Sequence, residues 1–137
     1  MKVTQLTVFL ENRSGRLAEV ARILGDAGIN IHGFCTTEAA EYGILRLILS
    51  DVLKARELLS AAGFTTHVSQ VLCVKVADKP GGLAAVLDQL AAAEISVEYL
   101  YNISYSNICF AVREIDHAVE LLAGKVTLLS DAEVQAL

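Results

Sequence analysis

The sequence predicts an α+β fold in which one β-α-β-β-α-β unit occurs twice, each copy forming an antiparallel sheet with both helices on one face. Two observations support this prediction. Apolar residues alternate along several short runs, as in strands, and recur at helical spacing between them. A polar, glycine-containing turn occurs at residues 11–17 and again at 77–83. At the same offset of 66, nine residue pairs between 6–29 and 72–95 are identical, among them Gly15 and Gly81. Such an internal repeat indicates two similar domains.

The first copy contains four predicted strands and two predicted helices. Alternation over residues 3–11 predicts a strand that points Leu6, Val8 and Leu10 to one face. The helix after the first turn has an apolar face of residues at helical spacing: Leu17, Val20, Ala21, Leu24 and Ala27. Two strands follow, at 29–37 and 42–50. A helix with Asp51 as its N-cap ends at Gly63, and a fourth strand covers 64–69.

The second copy repeats this order with shorter elements. The predicted strands lie at 70–77, 97–105, 107–113 and 125–129, and the predicted helices at 83–93 and 116–123. The two domains are therefore predicted at 1–69 and 70–137, side by side and with no linker. The element order is that of the ferredoxin-like, or split βαβ, fold, whose sheet has the strand order 4-1-3-2.

Composition limits the classes of partner. A hydrophobic content of 54% and a mean hydropathy of +0.50 favour association, and we expect a homodimer. The net charge of −5 and the absence of Lys/Arg clusters argue against nucleic acid. No run of 18 apolar residues or signal-peptide core occurs, so no membrane partner and a cytoplasmic location are expected. Three scattered cysteines without metal-ligand spacing predict buried free thiols and no metal site.

Each glycine turn ends a predicted strand and begins a predicted helix. Free backbone N–H groups and the helix dipole at such a position favour a carboxylate or another anion. Gly15 and Gly81 permit a ligand to approach the backbone closely. The alternative is a tight strand-to-helix connection that binds nothing. No nucleophile–base arrangement or phosphate-binding loop is present, so an enzyme is not expected.

The first turn and the end of the following helix resemble the ACT domain, a small βαββαβ regulatory module. The resemblance lies in residues 10–17 and in Ala27-Gly28-Ile29-Asn30-Ile31. The second copy matches with residues 78–83 and, more weakly, with Glu94-Ile95-Ser96-Val97. Ser14 stands where the family often has proline, and Glu94 where it has glycine, so the two sites are not expected to be equivalent, and copy one is favoured.

The resemblance implies that the protein binds a free amino acid, or a similar small carboxylate, between adjacent ACT domains and signals to a metabolic enzyme. The glycine turn of one copy would hold the α-carboxylate and α-ammonium, and the start of strand 2 of the neighbouring copy would contribute backbone groups. It implies no cofactor. The implied ligand-binding residues are Asn12, Arg13, Ser14, Gly15, Arg16, Leu17, Asn30 and Ile31 in copy one, and Asp78, Lys79, Pro80, Gly81, Gly82, Leu83, Ser96 and Val97 in copy two. The alternative is a protein-interaction subunit, similar to the small regulatory chain of acetolactate synthase, that acts without an essential ligand of its own.

Overall fold

The computed structural model describes residues 1–11, 13–38 and 41–137, and these form seven strands and five helices. In chain order the elements are β1 (Val3–Glu11), α1 (Arg16–Asp26), β2 (Ile31–Glu38), β3 (Tyr42–Leu49), α2 (Val52–Ala61), β4 (Thr65–Lys75), α3 (Gly82–Ala92), β5 (Val97–Ser104), β6 (Asn107–Val112), α4 (Ile115–Leu122), β7 (Thr127–Leu128) and α5 (Asp131–Gln135). Two compact units result. The N-terminal unit is Thr4–Ser69, and the C-terminal unit is Gln70–Leu137 together with Met1–Val3.

In the N-terminal unit the sheet has the order β2-β3-β1-β4, which is the predicted 4-1-3-2 arrangement. β1 pairs with β3, and β3 with β2, in antiparallel register. Helices α1 and α2 cover one face, and their apolar stripes form a core with the alternate residues of β1 and β3. Asp51 caps α2 as predicted, because its carboxylate accepts a hydrogen bond of 3.1 Å from the Lys54 backbone N–H.

The C-terminal unit repeats this plan with the order β7-β4-β6-β5. α3 and α4 form a core with alternate residues of β4 and β6, of which Leu72 and Phe110 are completely buried. Lys2 donates a hydrogen bond of 2.8 Å to the carboxylate of Asp116 on α4, which attaches the first residues of the chain to this unit. That contact lowers the pKa of Asp116.

One strand replaces two predicted strands. We predicted a strand at 64–69 and another at 70–77, but β4 is continuous from Thr65 to Lys75. Its first half belongs to the N-terminal unit and its second half to the C-terminal unit. The physical reason is visible in the sequence, because residues 65–75 contain neither glycine nor proline to interrupt an extended backbone.

The predicted apolar face of α1 was wrong at Leu17 and Ala21, which are both exposed. Leu17 is 50% exposed, and the buried residue of that turn is Arg16, which shares a stripe with Val20 and Leu24. In α3 the stripe likewise begins at Gly82, while Leu83 is 38% exposed. Residues four positions apart share one helix face, so the stripe that ends at Leu24 begins at Arg16 and leaves Leu17 to one side.

Candidate functional site

The first glycine turn connects β1 to α1 in the N-terminal unit. Gly15 is the N-cap of α1 and has the left-handed backbone angles φ 88° and ψ −10°, which explains why glycine stands there. Arg13 and Ser14 are exposed, and the Arg13 side chain lies 3.3 Å from the carboxylate of Glu11. Asn12, which was predicted to bind ligand, lies outside the described residues.

Arg16 is the buried cation of this turn. Its guanidinium carbon lies 3.9 Å from the ring centre of Phe64, within the range of a cation–π contact. Nη1 donates a hydrogen bond of 2.9 Å to Glu19, and Nη2 lies 3.8 Å from Glu11. Nε is buried and has no hydrogen-bond partner among the described residues. A guanidinium with an unused donor therefore lies at the positive end of a helix.

A pocket of about 380 Å³ lies beside this turn, entirely within the N-terminal unit. The turn and α1 contribute Arg13, Arg16 and Leu17, and the end of β1 contributes Leu10 and Glu11. The remaining lining residues come from the β2–β3 hairpin and are Thr36, Thr37, Glu38, Tyr42, Gly43 and Ile44. Antiparallel pairing explains this composition, because Glu11 pairs with Tyr42 and Glu38 pairs with Gly43.

The pocket contains the groups that a zwitterion requires. Arg13 and Arg16 supply guanidinium donors, and Thr36, Thr37 and Tyr42 are lining residues that have hydroxyl groups. The Thr37 hydroxyl accepts a hydrogen bond of 2.7 Å from Arg46 Nη1, and the Tyr42 ring packs against Phe9. The carboxylates of Glu11 and Glu38 are the acceptors for an ammonium group, so the pocket presents both charges over a short distance.

The start of β2 does not join this pocket. Ile31 pairs with Leu49 at the end of the sheet opposite to the Glu11–Tyr42 pair. The backbone N–H of Asn30 donates 2.9 Å to the Ser50 hydroxyl, and the Asn30 carbonyl accepts 3.0 Å from the Ser50 N–H. Asn30 and Ile31 are thus separated from the first glycine turn of their own unit, whereas the resemblance groups them with the turn of the neighbouring copy.

The second glycine turn has the same backbone but different side chains. Gly81 is the N-cap of α3 with φ 83°, and Asp78, Lys79 and Pro80 are exposed. The Gly82 N–H already donates 3.0 Å to the Lys79 carbonyl oxygen. A Cβ at Gly82 would overlap the Ala77 carbonyl oxygen, so no side chain fits where the first copy has Arg16. This turn lacks the buried cation.

Ser96 lies on a separate pocket of about 340 Å³ within the C-terminal unit, away from the second turn. Its charged lining residues are Glu94, Glu98, Arg113 and Glu114, with His117 beside them. Val97 begins β5 and packs, partly buried, against the apolar core. Ser96 therefore lies apart from the second turn of its own unit, whereas the resemblance groups it with the turn of the neighbouring copy.

Sequence reasoning missed the hairpin side of the first pocket. Thr36, Thr37, Glu38 and Tyr42 were predicted only as parts of a strand or its end. The predicted strand order 4-1-3-2 was a sufficient signal, because it places the β2–β3 hairpin at the same end of the sheet as the first turn.

Across the described residues, no three His, Cys, Asp or Glu side chains are grouped to hold a metal ion. The helices described here are too short or too polar to span a membrane.

Solved structures of other proteins have a similar fold. Protein BT0572 from Bacteroides thetaiotaomicron is 36% identical, with a TM-score of 0.92 over 100% of this chain and 98% of that one. The ligand-free regulatory subunit of aspartate kinase from Thermus thermophilus is 16% identical, with a TM-score of 0.64 over 88% of each chain, which is a similarity of fold. The regulatory subunit from Thermus flavus is 14% identical, with a TM-score of 0.62 over 88% of this chain and 90% of that one.

A comparison with curated proteins gives no match. The family model described as an ACT domain pair matches residues 1–135, nearly the whole chain. That match, the ferredoxin-like element order in both units and the two αL glycine turns agree with the family expected from residues 10–17 and 78–83. The chain belongs to the ACT domain pair family.

Proposed function

We propose that this protein is a regulatory amino-acid sensor, without catalytic activity, that binds a free amino acid or a similar small carboxylate in the pocket beside its first glycine turn. The observation that supports this most directly is Arg16, whose buried guanidinium keeps Nε without a partner among the described residues. A buried donor without a partner costs roughly 1–3 kcal/mol, so an arriving acceptor is favoured. The aspartate kinase subunits of the same fold are regulatory by description, which supports a regulatory role.

The ligand carboxylate would lie near Arg16 and the N-terminus of α1. Glu11 is the weaker of the two acidic partners of Arg16, at 3.8 Å against 2.9 Å for Glu19, so a carboxylate ligand displaces Glu11 first. The displaced Glu11, together with Glu38, then accepts from the ligand ammonium group. The zwitterion exchanges partners with an existing ion pair, and no charge is left unpaired.

Signalling requires that the ligand bind one arrangement of the protein better than another. Here the differential contact is the exchange at Glu11, the last residue of β1, which pairs with Tyr42 at the start of β3. Occupancy would therefore change the end of the sheet that carries the β2–β3 hairpin. We propose that a metabolic enzyme reads this change, and that the protein acts as a homodimer.

The direct test is a thermal-shift screen of the purified protein against the twenty standard amino acids, followed by titration calorimetry of each hit. A ligand present at 100 times its dissociation constant stabilises the protein by about 2.7 kcal/mol. Arg16→Lys keeps the charge but loses the planar donor set, and we expect it to weaken binding about tenfold. Arg13→Gln should weaken binding less, because the Arg13 side chain is 63% exposed.

The matched control is Lys79→Gln, which changes the residue equivalent to Arg13 in the second turn, outside the pocket. Binding that is unchanged in Lys79→Gln but weakened in Arg16→Lys supports the site. Equal loss in both variants would place the ligand elsewhere.

A second candidate is the interaction subunit that acts without its own ligand. It is favoured by the exposed apolar side chains Phe34 and Leu53, which are 63% and 67% exposed in the N-terminal unit. A flat amino-acid panel with a stable, folded protein, together with co-purification with a larger enzyme, would favour this candidate over the sensor.

A further inference from the structure

Cys73 on β4 and Cys109 on β6 lie outside the proposed sensor site. The two residues are directly opposite in the antiparallel register of the C-terminal unit, and both are completely buried. They belong to the sheet face away from α3 and α4, because the flanking residues Leu72 and Phe110 form the helix-side core.

Backbone hydrogen bonds identify the type of this pair. The Cys73 carbonyl accepts 2.8 Å from the Leu129 N–H, so the Cys73 backbone points toward the β7 side. The Val76 N–H donates a hydrogen bond of 2.6 Å to the Ser106 carbonyl oxygen on the β6 side. Val76 is three positions after Cys73, and strand residues an odd number of positions apart direct their backbone hydrogen bonds to opposite sides. Cys73 and Cys109 are therefore a non-hydrogen-bonded antiparallel pair, in which the Cα atoms are about 4.5 Å apart and the side chains approach most closely.

The Cα separation of Cys73 and Cys109 is suitable for a disulfide, but the Cβ separation would leave the bond strained. Disulfides span Cα distances of about 4.4–6.8 Å, which include this pair, but they need Cβ atoms about 3.5–4.5 Å apart. Directly opposed strand residues have Cβ atoms about 4.5–5.5 Å apart, and non-hydrogen-bonded pairs are at the near end of this range, at the upper limit for a disulfide. The bond would draw the strands together, and disulfides under such strain are the more easily reduced ones.

We infer that Cys73 and Cys109 are a site of reversible oxidation, at which a peroxide converts the two thiols to an intramolecular cross-strand disulfide. The Cys73 sulfur attacks one peroxide oxygen and releases water, which leaves a sulfenic acid. The Cys109 sulfur then attacks the Cys73 sulfur and releases a second water as the S–S bond forms. Two electrons pass from the thiols to the peroxide, and a dithiol reductant reverses the change.

The chemistry of the neighbourhood agrees with this order of steps. A side-chain hydrogen bond with Cys109 lowers the pKa of Cys73, against the effect of burial. Burial raises the pKa of the third cysteine, Cys35, in the N-terminal unit. A thiol with a lowered pKa has more thiolate, which is the nucleophile, and Cys109 is in position to resolve the sulfenic acid.

The test is made on the intact protein, with hydrogen peroxide as the oxidant. Samples before and after oxidation are denatured, alkylated with iodoacetamide and digested with trypsin. The three cysteines fall in separate tryptic peptides, at residues 23–46, 57–75 and 76–113. We expect three alkylated cysteines before oxidation. Afterwards we expect Cys35 alone to be alkylated, and peptides 57–75 and 76–113 to be joined with the loss of two hydrogen atoms. Dithiothreitol should restore alkylation.

Two controls keep the result specific. Cys35→Ser should leave the cross-link unchanged, and diamide, which oxidises thiols without forming a sulfenic acid, should give the same joined peptides. Three alkylated cysteines after oxidation would overturn the inference. So would sulfinic or sulfonic acid on either residue without a cross-link, or a cross-link that joins two chains.

Discussion

The guanidinium of Arg16 lies 3.9 Å from the ring centre of Phe64, at the first position of α1, where helices ordinarily disfavour a cation. The aromatic face and the two glutamates Glu11 and Glu19 offset that cost. In the second copy the equivalent position is Gly82, so this arrangement exists only once in the repeat. The two domains have the same backbone conformation at this helix N-terminus, but only the first has a charged side chain there.

A double-mutant cycle measures the Arg16–Phe64 contact. We expect Arg16→Met and Phe64→Leu each to destabilise the protein, with a coupling of about 0.5–2 kcal/mol because the cation–π contact is desolvated. Urea unfolding of the wild type, both single variants and the double variant gives the coupling free energy. If the two changes add within roughly 0.3–0.5 kcal/mol, the contact does not contribute to stability.

Gly82→Ala tests why the second turn has no side chain at this position. The added Cβ would overlap the Ala77 backbone carbonyl, which cannot move as a flexible side chain does, and we expect destabilisation of more than about 1 kcal/mol. Gly25→Ala is the matched control in α1, where an added Cβ meets nothing within 4 Å. That change should stabilise the protein by about 0.5–1 kcal/mol. Equal effects in urea unfolding would contradict the steric explanation.

Most of the fold could be predicted because the repeat and the apolar periodicity report on local structure and burial. The continuous β4 could not be predicted from the repeat, because comparing two copies suggests two separate strands, while only the absence of a turn residue over 65–75 indicates one. The sequence places Arg16 in the polar turn at 11–17, and its burial could not be predicted for a related reason. Its burial depends on Phe64, which is 48 positions later in the sequence.

The candidate site was predicted in part. Arg13, Arg16 and Leu17 line the pocket and follow from the turn motif, which is local. The hairpin residues Thr36, Thr37 and Tyr42 reach the same pocket only through strand pairing, so they follow from topology and not from a motif. Tyr105 shows the limit of simple alternation. It is the last residue of the strand predicted at 97–105, but it lies in the β5–β6 turn and is 92% exposed.

Glu94→Gly should stabilise the protein. Glu94 has φ 57°, and it is the one non-glycine residue with positive φ among the described residues, at the position where the first copy has Gly28 with φ 74°. The left-handed region costs a non-glycine residue roughly 1–2 kcal/mol, and part of this is offset by the greater freedom of glycine in the unfolded chain. We expect a net gain of about 0.5–1 kcal/mol in urea unfolding.

The reciprocal variant is Gly28→Glu, which introduces the same strain into the first copy. We expect it to lower the free energy of unfolding by about 1 kcal/mol. The pair of variants separates backbone strain from the loss of the Glu94 side chain. A destabilising Glu94→Gly would mean that contacts of that side chain outweigh the strain.

Val134→Ala should increase the reactivity of the buried thiols. Leu129 hydrogen-bonds to Cys73, and α5 begins two residues later with the completely buried Val134 as its apolar contact. A five-residue helix opens locally at low cost, and removing two methyl groups from its buried contact lowers that cost further. We expect labelling of Cys73 and Cys109 by a maleimide under native conditions to become about fivefold to tenfold faster, which corresponds to roughly 1–1.4 kcal/mol of opening free energy.

Cys35, in the other unit, should be labelled at an unchanged rate, and Leu137→Ala, at a 55% exposed position, should have no effect. If all three thiols accelerate together, the variant acts through global unfolding, and α5 does not control access to the pair.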